Sequence, residues 1–253
     1  MPLPPPFDAR VLSTKALTPT VKEIAFERVD GQPMAFEAGQ WVNLILPVTE
    51  TRSQRPTLGE PTLKRSYSVA SSPDGSPRFA IAVTLVHGGP ASTWLHEVEP
   101  GTVIQVLGPQ GFFVRPPASS PPSLMVATGT GVAPMRSMIG AAIAAGSPTP
   151  IWLLLGARRE EDVLYGEEFA SVVRAHPFVR FEATLSQPRG PWSGRRGYVQ
   201  THLSELWAAL ARSCEVPAHV YICGLQRMVG SVRDMFRNEL GLPRQRVHAE
   251  RYD

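Results

Sequence analysis

The chain has 253 residues, 43% hydrophobic and 19% charged, which argues against a disordered polypeptide and leaves room for two compact domains. No run approaches the roughly 20 apolar residues of a membrane span, and Met1-Pro2-Leu3-Pro4-Pro5-Pro6 lacks the order of a secretion signal, so a cytoplasmic protein with no membrane attachment is expected. A net charge of +3 gives no basic stripe for nucleic acid, and two cysteines exclude a disulfide framework or an iron–sulfur cluster built from this chain alone.

From residue 7 to 115, segments rich in valine, isoleucine and phenylalanine are broken by glycine and proline: Val21 to Phe26, Trp41 to Leu46, Tyr67 to Ala70, Phe79 to Val86 and Val103 to Val106. This pattern predicts an antiparallel barrel. Thr49 to Leu63 is polar and proline-containing, which predicts a long surface loop or flap. Three motifs stand in this half. In Arg65-Ser66-Tyr67-Ser68 a strand puts Arg65 and Tyr67 on one face and Ser68 on the other. Such a set suits the negative pyrophosphate, flat ring and polar edge of a flavin dinucleotide, although the same four residues also suit an ordinary strand. Gly88-Gly89-Pro90-Ala91-Ser92 precedes a short apolar helix predicted from Thr93 to Val98. Its free N–H groups suit a phosphate, or Ser92 simply caps the helix. Gly108-Pro109-Gln110-Gly111-Phe112-Phe113 closes this half as a turn before a buried strand.

The run Pro116-Pro117-Ala118-Ser119-Ser120-Pro121-Pro122-Ser123 can continue neither a helix nor a central strand, so domains are expected at 7–117 and 123–253. Beyond it strands and helices alternate. Leu124 to Ala127 is followed by Pro134 to Ala145, Ile151 to Leu155 by Gly166 to Ala175, Val179 to Leu185 by Thr201 to Ala211, and Val220 to Cys223 by Gln226 to Leu240. Repeated βα units predict a parallel sheet covered by helices, hence an α/β nucleotide-binding domain. Its first strand ends in Thr128-Gly129-Thr130-Gly131, where glycines let the backbone approach a ligand and Pro134 fits the first turn of the helix. This departs from the GxGxxG dinucleotide fingerprint, and no acidic residue is placed for a ribose. The charge surplus lies wholly after Ala118, with 15 basic and 12 acidic residues against 10 and 10 before it. It suits an anionic cofactor or an acidic protein, or it reflects a bias toward arginine, which makes up 22 of the 25 basic residues.

In order and spacing these motifs resemble the ferredoxin–NADP reductase superfamily. Arg65-Ser66-Tyr67-Ser68 is similar to its Arg-x-Tyr-Ser, and Gly108 to Phe113 to its Gly-Pro-x-Gly-x-Phe. Ala127 to Pro134 is similar to its Gly-Thr-Gly-x-x-Pro turn, Tyr221-Ile222-Cys223-Gly224 with Met228 to its Cys-Gly-x-x-x-Met turn, and Glu250-Arg251-Tyr252-Asp253 to its terminal Glu-x-aromatic. The resemblance implies a flavin barrel followed by a nicotinamide nucleotide domain. It implies that Arg65 binds the FAD pyrophosphate, Tyr67 stacks on the isoalloxazine, Ser68 hydrogen-bonds near N5, and Gly89, Ala91 and Ser92 wrap the pyrophosphate. For the nicotinamide nucleotide it implies Thr130, Gly131, Gly224, Leu225 and Met228. Cys223 would lie beside the nicotinamide C4, shaping hydride transfer without acting as a nucleophile. Tyr252 would cover the flavin face opposite Tyr67 until nicotinamide arrives, and Glu250 would relay a proton or position the acceptor. A cysteine at a strand end also serves as a small hydrophobe, and Tyr252 is equally read as a surface tyrosine at a frayed terminus.

For the adenosine end the resemblance implies Arg158, Ser186, Arg195, Arg196, Tyr198 and Gln200. Arginine forks suit a 2′-phosphate, so NADPH is expected, with NADH as the alternative because Gln187 stands where NADP-specific relatives carry arginine. The activity implied is hydride transfer between NAD(P)H and FAD and one-electron exchange with ferredoxin or flavodoxin, by a monomer. The alternatives are an NADH-dependent reductase component of a multicomponent oxygenase and a nucleotide-sensing flavoprotein subunit. No metal is expected, since the six histidines show no ligand spacing.

Overall fold

The computed structural model describes residues 5–47 and 62–252. The flap expected from Thr49 to Leu63 lies outside them except for Thr62 and Leu63, as does Asp253. Contacts divide the chain between Val114 and Arg115 into two compact units.

The first unit is an antiparallel sheet of six strands: β1 (Phe7–Thr18), β2 (Val21–Arg28), β3 (Trp41–Leu46), β4 (Leu63–Ser68), β5 (Arg78–Thr84) and β6 (Val103–Gln110). Their order is β4-β3-β6-β1-β2-β5, and a bridge between Val69 and Ile81 brings the two edge strands together as a barrel requires. Alternate residues point inward, so Ala9 and Val11 of β1, Ile24 and Phe26 of β2 and Leu44 and Leu46 of β3 are buried in one core. Phe26 and Phe79 stack there at 5.1 Å. A helix, α1 (Pro90–Glu97), buries Leu95 in the same core.

Several expected bounds shift. β1 was absent from the predicted strands because Arg10, Ser13 and Lys15 interrupt its apolar residues, yet these polar positions alternate outward. β4 begins four residues before the expected Tyr67, since Leu63 pairs with Leu46 of β3. α1 starts at Pro90 instead of Thr93, because proline is suited to a first turn. Gly108 to Gln110 belong to β6 and no strand follows; Phe112 is fully exposed and Phe113 buried.

The second unit is a parallel sheet of six strands: β7 (Ser123–Thr128), β8 (Ile151–Ala157), β9 (Val179–Leu185), β10 (Arg195–Arg196), β11 (His219–Leu225) and β12 (Val247–Tyr252). Four helices accompany it: α2 (Val132–Ala144), α3 (Gly166–Ala175), α4 (Leu203–Arg212) and α5 (Gln226–Asp234). The strand order is β10-β9-β8-β7-β11-β12. From β7 the chain builds outward to β10, then returns to lay β11 on the other side of β7. That reversal leaves a crevice at the carboxyl ends of β7 and β11, the place where open α/β sheets bind ligands. Leu124, Val126, Val220 and Ile222 pack with Leu203, Leu206 and Leu210 of α4 and Val229 and Val232 of α5 in one core. The sequence reading missed β10 and β12: one is two residues long, the other carries charges at the end of the chain. No helix among the described residues is long and apolar enough to cross a membrane.

Candidate functional site

In the barrel unit, β4 is an edge strand in the sheet order, paired with β3 so that Arg65 faces Leu44, Tyr67 faces Val42 and Ser68 faces Trp41. Tyr67 lies half-buried against the core, and burial pushes its hydroxyl up to about 12 while the nearby Arg65 acts in the opposite direction. Arg65 is exposed, and its NH1 donates to Lys64 O at 3.0 Å. Among the described residues no carboxylate forms an ion pair with it, so its charge is available to an anion. Ser68 is buried on the opposite face.

The glycine turn has a division of labour that the sequence did not show. Gly89, not Ser92, is the N-cap of α1. The Ser92 hydroxyl accepts from Val86 N–H at 3.0 Å and lies within 3.1 Å of Gly89 O, so it braces the turn. Pro90 has no N–H, and the N–H groups of Ala91 and Ser92 stand in a first turn where no intrahelical acceptor exists. With no acidic residue in that turn, these donors and Arg65 fit the pyrophosphate of a flavin dinucleotide.

In the second unit, the turn Gly129–Gly131 after β7 lies directly on the end of β11. A Cβ at Gly131 would stand 2.3 Å from Cys223 O and 2.7 Å from Gly224 Cα, and one at Gly224, whose φ is +144°, would stand 2.4 Å from Thr128 Oγ1. Only two glycines permit this approach of backbone to backbone. Met228 is buried at the Gly224 position, Leu225 is mostly exposed, and Thr130 is part-buried. Thr128 Oγ1 is buried beside Gly224 without a hydrogen-bond partner.

Cys223 is fully buried between Ala127 of β7 and Glu250 of β12. Burial first, then the Glu250 carboxylate, push its thiol well above the usual range, against hydrogen bonds from Tyr252 and the Gly224 backbone. A thiol held in its neutral form is a poor nucleophile. Tyr252 pairs with Leu225 in β12, so it ends a strand and is not frayed. Cys223, Glu250 and Tyr252 therefore come together within one unit, whereas Ser68 belongs to the other.

The adenosine candidates gather at three adjacent strand ends. Arg158, exposed, follows β8, and its carbonyl accepts from Gln187 N–H at 2.8 Å. Ser186 follows β9, its N–H donating to Ala157 O at 3.1 Å, and Arg196 of β10 pairs with Leu185. Arg196 is exposed, Tyr198 is 71% exposed, and Gln200 holds a buried Oε1 without a partner. Arg195 is engaged within the unit by two carboxylates. Glu205 receives its NH1 and NH2 at 2.9 Å each and Glu182 receives its Nε, bonds that hold its guanidinium above the ordinary range against partial burial. Sequence reasoning missed Glu182, His202 and Glu205, because nothing in their spacing says that β9, β10 and α4 meet.

The family model of the oxidoreductase FAD-binding domain matches residues 8–114, and that of the oxidoreductase NAD-binding domain matches residues 125–234. Ferredoxin–NADP reductase B of Sorangium cellulosum is 52% identical over 249 residues, covering 98% of this chain and 98% of that protein. The chain belongs to the ferredoxin–NADP reductase family. Within this family context the barrel is its FAD-binding domain and the parallel sheet its NAD-binding domain. The phenol hydroxylase P5 protein of Acinetobacter pittii is 27% identical over 250 residues, covering 97% of this chain and 65% of that protein. Among solved structures the Amycolatopsis cytochrome P450 reductase superposes with a TM-score of 0.81 at 25% identity, over 98% of this chain and 69% of that one. Ferredoxin–NADP reductase membership thus agrees with both the antiparallel barrel and the parallel sheet read from the sequence.

Proposed function

We propose that the protein is an NADPH-dependent FAD oxidoreductase that exchanges single electrons with a ferredoxin, working as a cytoplasmic monomer, with flavodoxin as a second acceptor. When bound, FAD and NADPH supply the hydride exchange between nicotinamide C4 and flavin N5 and the one-electron steps. The observation that carries this reading is the crevice at the ends of β7 and β11, where backbone approach at Gly131 and Gly224 leaves a buried, unmet Thr128 hydroxyl beside a neutral thiol. Thr130, Gly131, Gly224, Leu225 and Met228 receive the nicotinamide half, Cys223 sets the depth at which its ring stops, and Glu250 holds or moves a proton. Tyr252 guards the position next to Cys223. In the barrel unit Arg65 and the Ala91 and Ser92 N–H groups hold the pyrophosphate, Tyr67 stacks on the ring and Ser68 addresses its polar edge. Positioning is the protein's main contribution, since the reacting atoms belong to the cofactors.

The exposed charges of Arg158 and Arg196, together with Ser186 and Tyr198, favour a coenzyme with a 2′-phosphate. A second reading, an NADH-dependent reductase component of an oxygenase, draws on the likeness to the phenol hydroxylase protein and on Gln187. Anaerobic mixing of the FAD-loaded protein with each coenzyme separates the readings. Rapid bleaching of the flavin by NADPH and slow bleaching by NADH, followed by reduction of added ferredoxin, is the expected result. Faster bleaching by NADH favours the second reading, and a flavin that stays oxidised with both rejects an electron-transfer role altogether.

A further inference from the structure

Arg195 is an arginine with almost no donor to spare. Glu205 takes NH1 and NH2, Glu182 takes Nε, and His202 Nδ1 lies 3.3 Å from NH1, so four of its five N–H groups are engaged. Its charge is balanced as well. Arg180 also pairs with Glu182, giving two cations and two carboxylates in one cluster.

The backbone beside this cluster is held at three consecutive carbonyls. Arg195 O accepts from Trp192 Nε1 at 2.8 Å, Arg196 O from His202 Nε2 at 3.0 Å and Gly197 O from Thr184 Oγ1 at 2.9 Å. Because the Thr184 proton goes to Gly197, its oxygen must accept from His202, which lies 3.0 Å away. The imidazole proton is thereby assigned to Nε2, leaving Nδ1 to receive Arg195. The single Nε2 proton is shared between Thr184 Oγ1 and Arg196 O, and the chain leaves this set with Arg196 and Tyr198 facing solvent.

We propose that Glu205, assisted by Glu182 and His202, is a positioning residue for coenzyme choice: by clamping Arg195 it orders residues 192–198 so that Arg196 and Tyr198 meet a 2′-phosphorylated adenosine without further loss of freedom. The proposal rests on the reading of this loop as the adenosine site. A loop ordered before binding keeps affinity that a loose one would spend on its own immobilisation. Arg195 itself touches no phosphate in this scheme.

The test uses the full, FAD-loaded chain and measures the affinity of 2′,5′-ADP and of 5′-AMP by calorimetry in wild type, Glu205→Gln, Arg195→Lys and Arg196→Ala. The Glu205 side chain is 67% exposed, so its replacement leaves the core intact. Loosening the clamp in Glu205→Gln is expected to weaken 2′,5′-ADP about tenfold and 5′-AMP by less, with the loss of NADPH turnover appearing in KM more than in kcat. Arg195→Lys, which keeps the charge and loses the fork, is expected to behave alike. Were Arg195 a phosphate ligand, freeing it from Glu205 would tighten 2′,5′-ADP, and that outcome overturns the proposal. Unchanged affinity in Glu205→Gln overturns it too. Arg196→Ala distinguishes the two levels: no loss there rejects the loop as the 2′-phosphate site, whereas a loss there with none in Glu205→Gln removes the positioning role alone.

Discussion

The glycine turn after β7 and the loop of residues 192–198 stand at the carboxyl ends of the same parallel sheet, and they are built by opposite means. At the crevice, backbone lies on backbone, with Gly131 against Cys223 and Gly224 against Thr128. At the loop, side chains from β9, β10 and α4 hold a stretch of backbone at its carbonyls. A site of the first kind has no intermediate settings, because one added carbon fills it. The second kind can be graded, one hydrogen bond at a time.

Gly131→Ala is the harshest test of that contrast. Its Cβ would fall 2.3 Å from a backbone oxygen, which no rotamer change can relieve. A loss on the order of 3 kcal/mol in urea unfolding, or about a hundredfold slower flavin reduction by NADPH, is expected. If alanine is accepted with wild-type rates, the crevice is not built as described. Arg65→Ala carries the comparison to the barrel unit, where the proposed pyrophosphate site combines one exposed side chain with two backbone N–H groups. About tenfold faster loss of FAD on dialysis is expected, since the N–H groups of Ala91 and Ser92 remain. Flavin content equal to wild type would remove Arg65 from the pyrophosphate site.

The smallest expected effect concerns the starts of β11 and β12. His219 Nδ1 and His248 Nε2 are 2.9 Å apart, and His248 stacks on Tyr221 at 4.4 Å between ring centres. Burial and then His219 push His248 down to about 4; burial, Arg246 and Arg115 push His219 down as well. Both rings stay neutral in the fold while the unfolded chain takes up protons near the ordinary value of 6.5. Their contribution is therefore complete above pH 6.5 and is lost as pH falls toward 4. After allowance for screening at a half-buried site it is worth about 1 kcal/mol. Thermal melting of FAD-loaded wild type and His248→Gln at pH 7.5 and pH 5 measures it. The variant should lose less stability between the two, and parallel losses would exclude the pair.

Backbone-built features were the legible ones. Glycines between an apolar strand and a helix marked a turn open to close approach, but that the partner is the end of β11, with Gly224, is supplied only by the fold. α3 and β9 were read to the residue, since apolar spacing and flanking breaks agree there. The arginine pair could not be told apart in the sequence. Arg195 and Arg196 are chemically identical and adjacent, and only the fold brings two carboxylates, from residues 182 and 205, to the first of them. Ser92 was similarly ambiguous, because a cap and a brace use the same hydroxyl. β12 carries four polar residues, at 248, 250, 251 and 252, among its six, and its strand character comes from pairing with β11.

That pairing also fixes how far Tyr252 reaches. Six parallel pairs run from Val220 with Val247 to Leu225 with Tyr252, and a slip of one residue would turn Glu250 away from Cys223 and put Arg251 or Ala249 in its place. The histidine pair and the ring of Tyr221 anchor the ladder at the opposite end from Cys223 and Tyr252. The place of Tyr252 is therefore counted along the ladder from His248, while Leu242, buried in the core, and Arg246, whose Nε donates to Ala218 O at 2.8 Å, tie down the approach to β12.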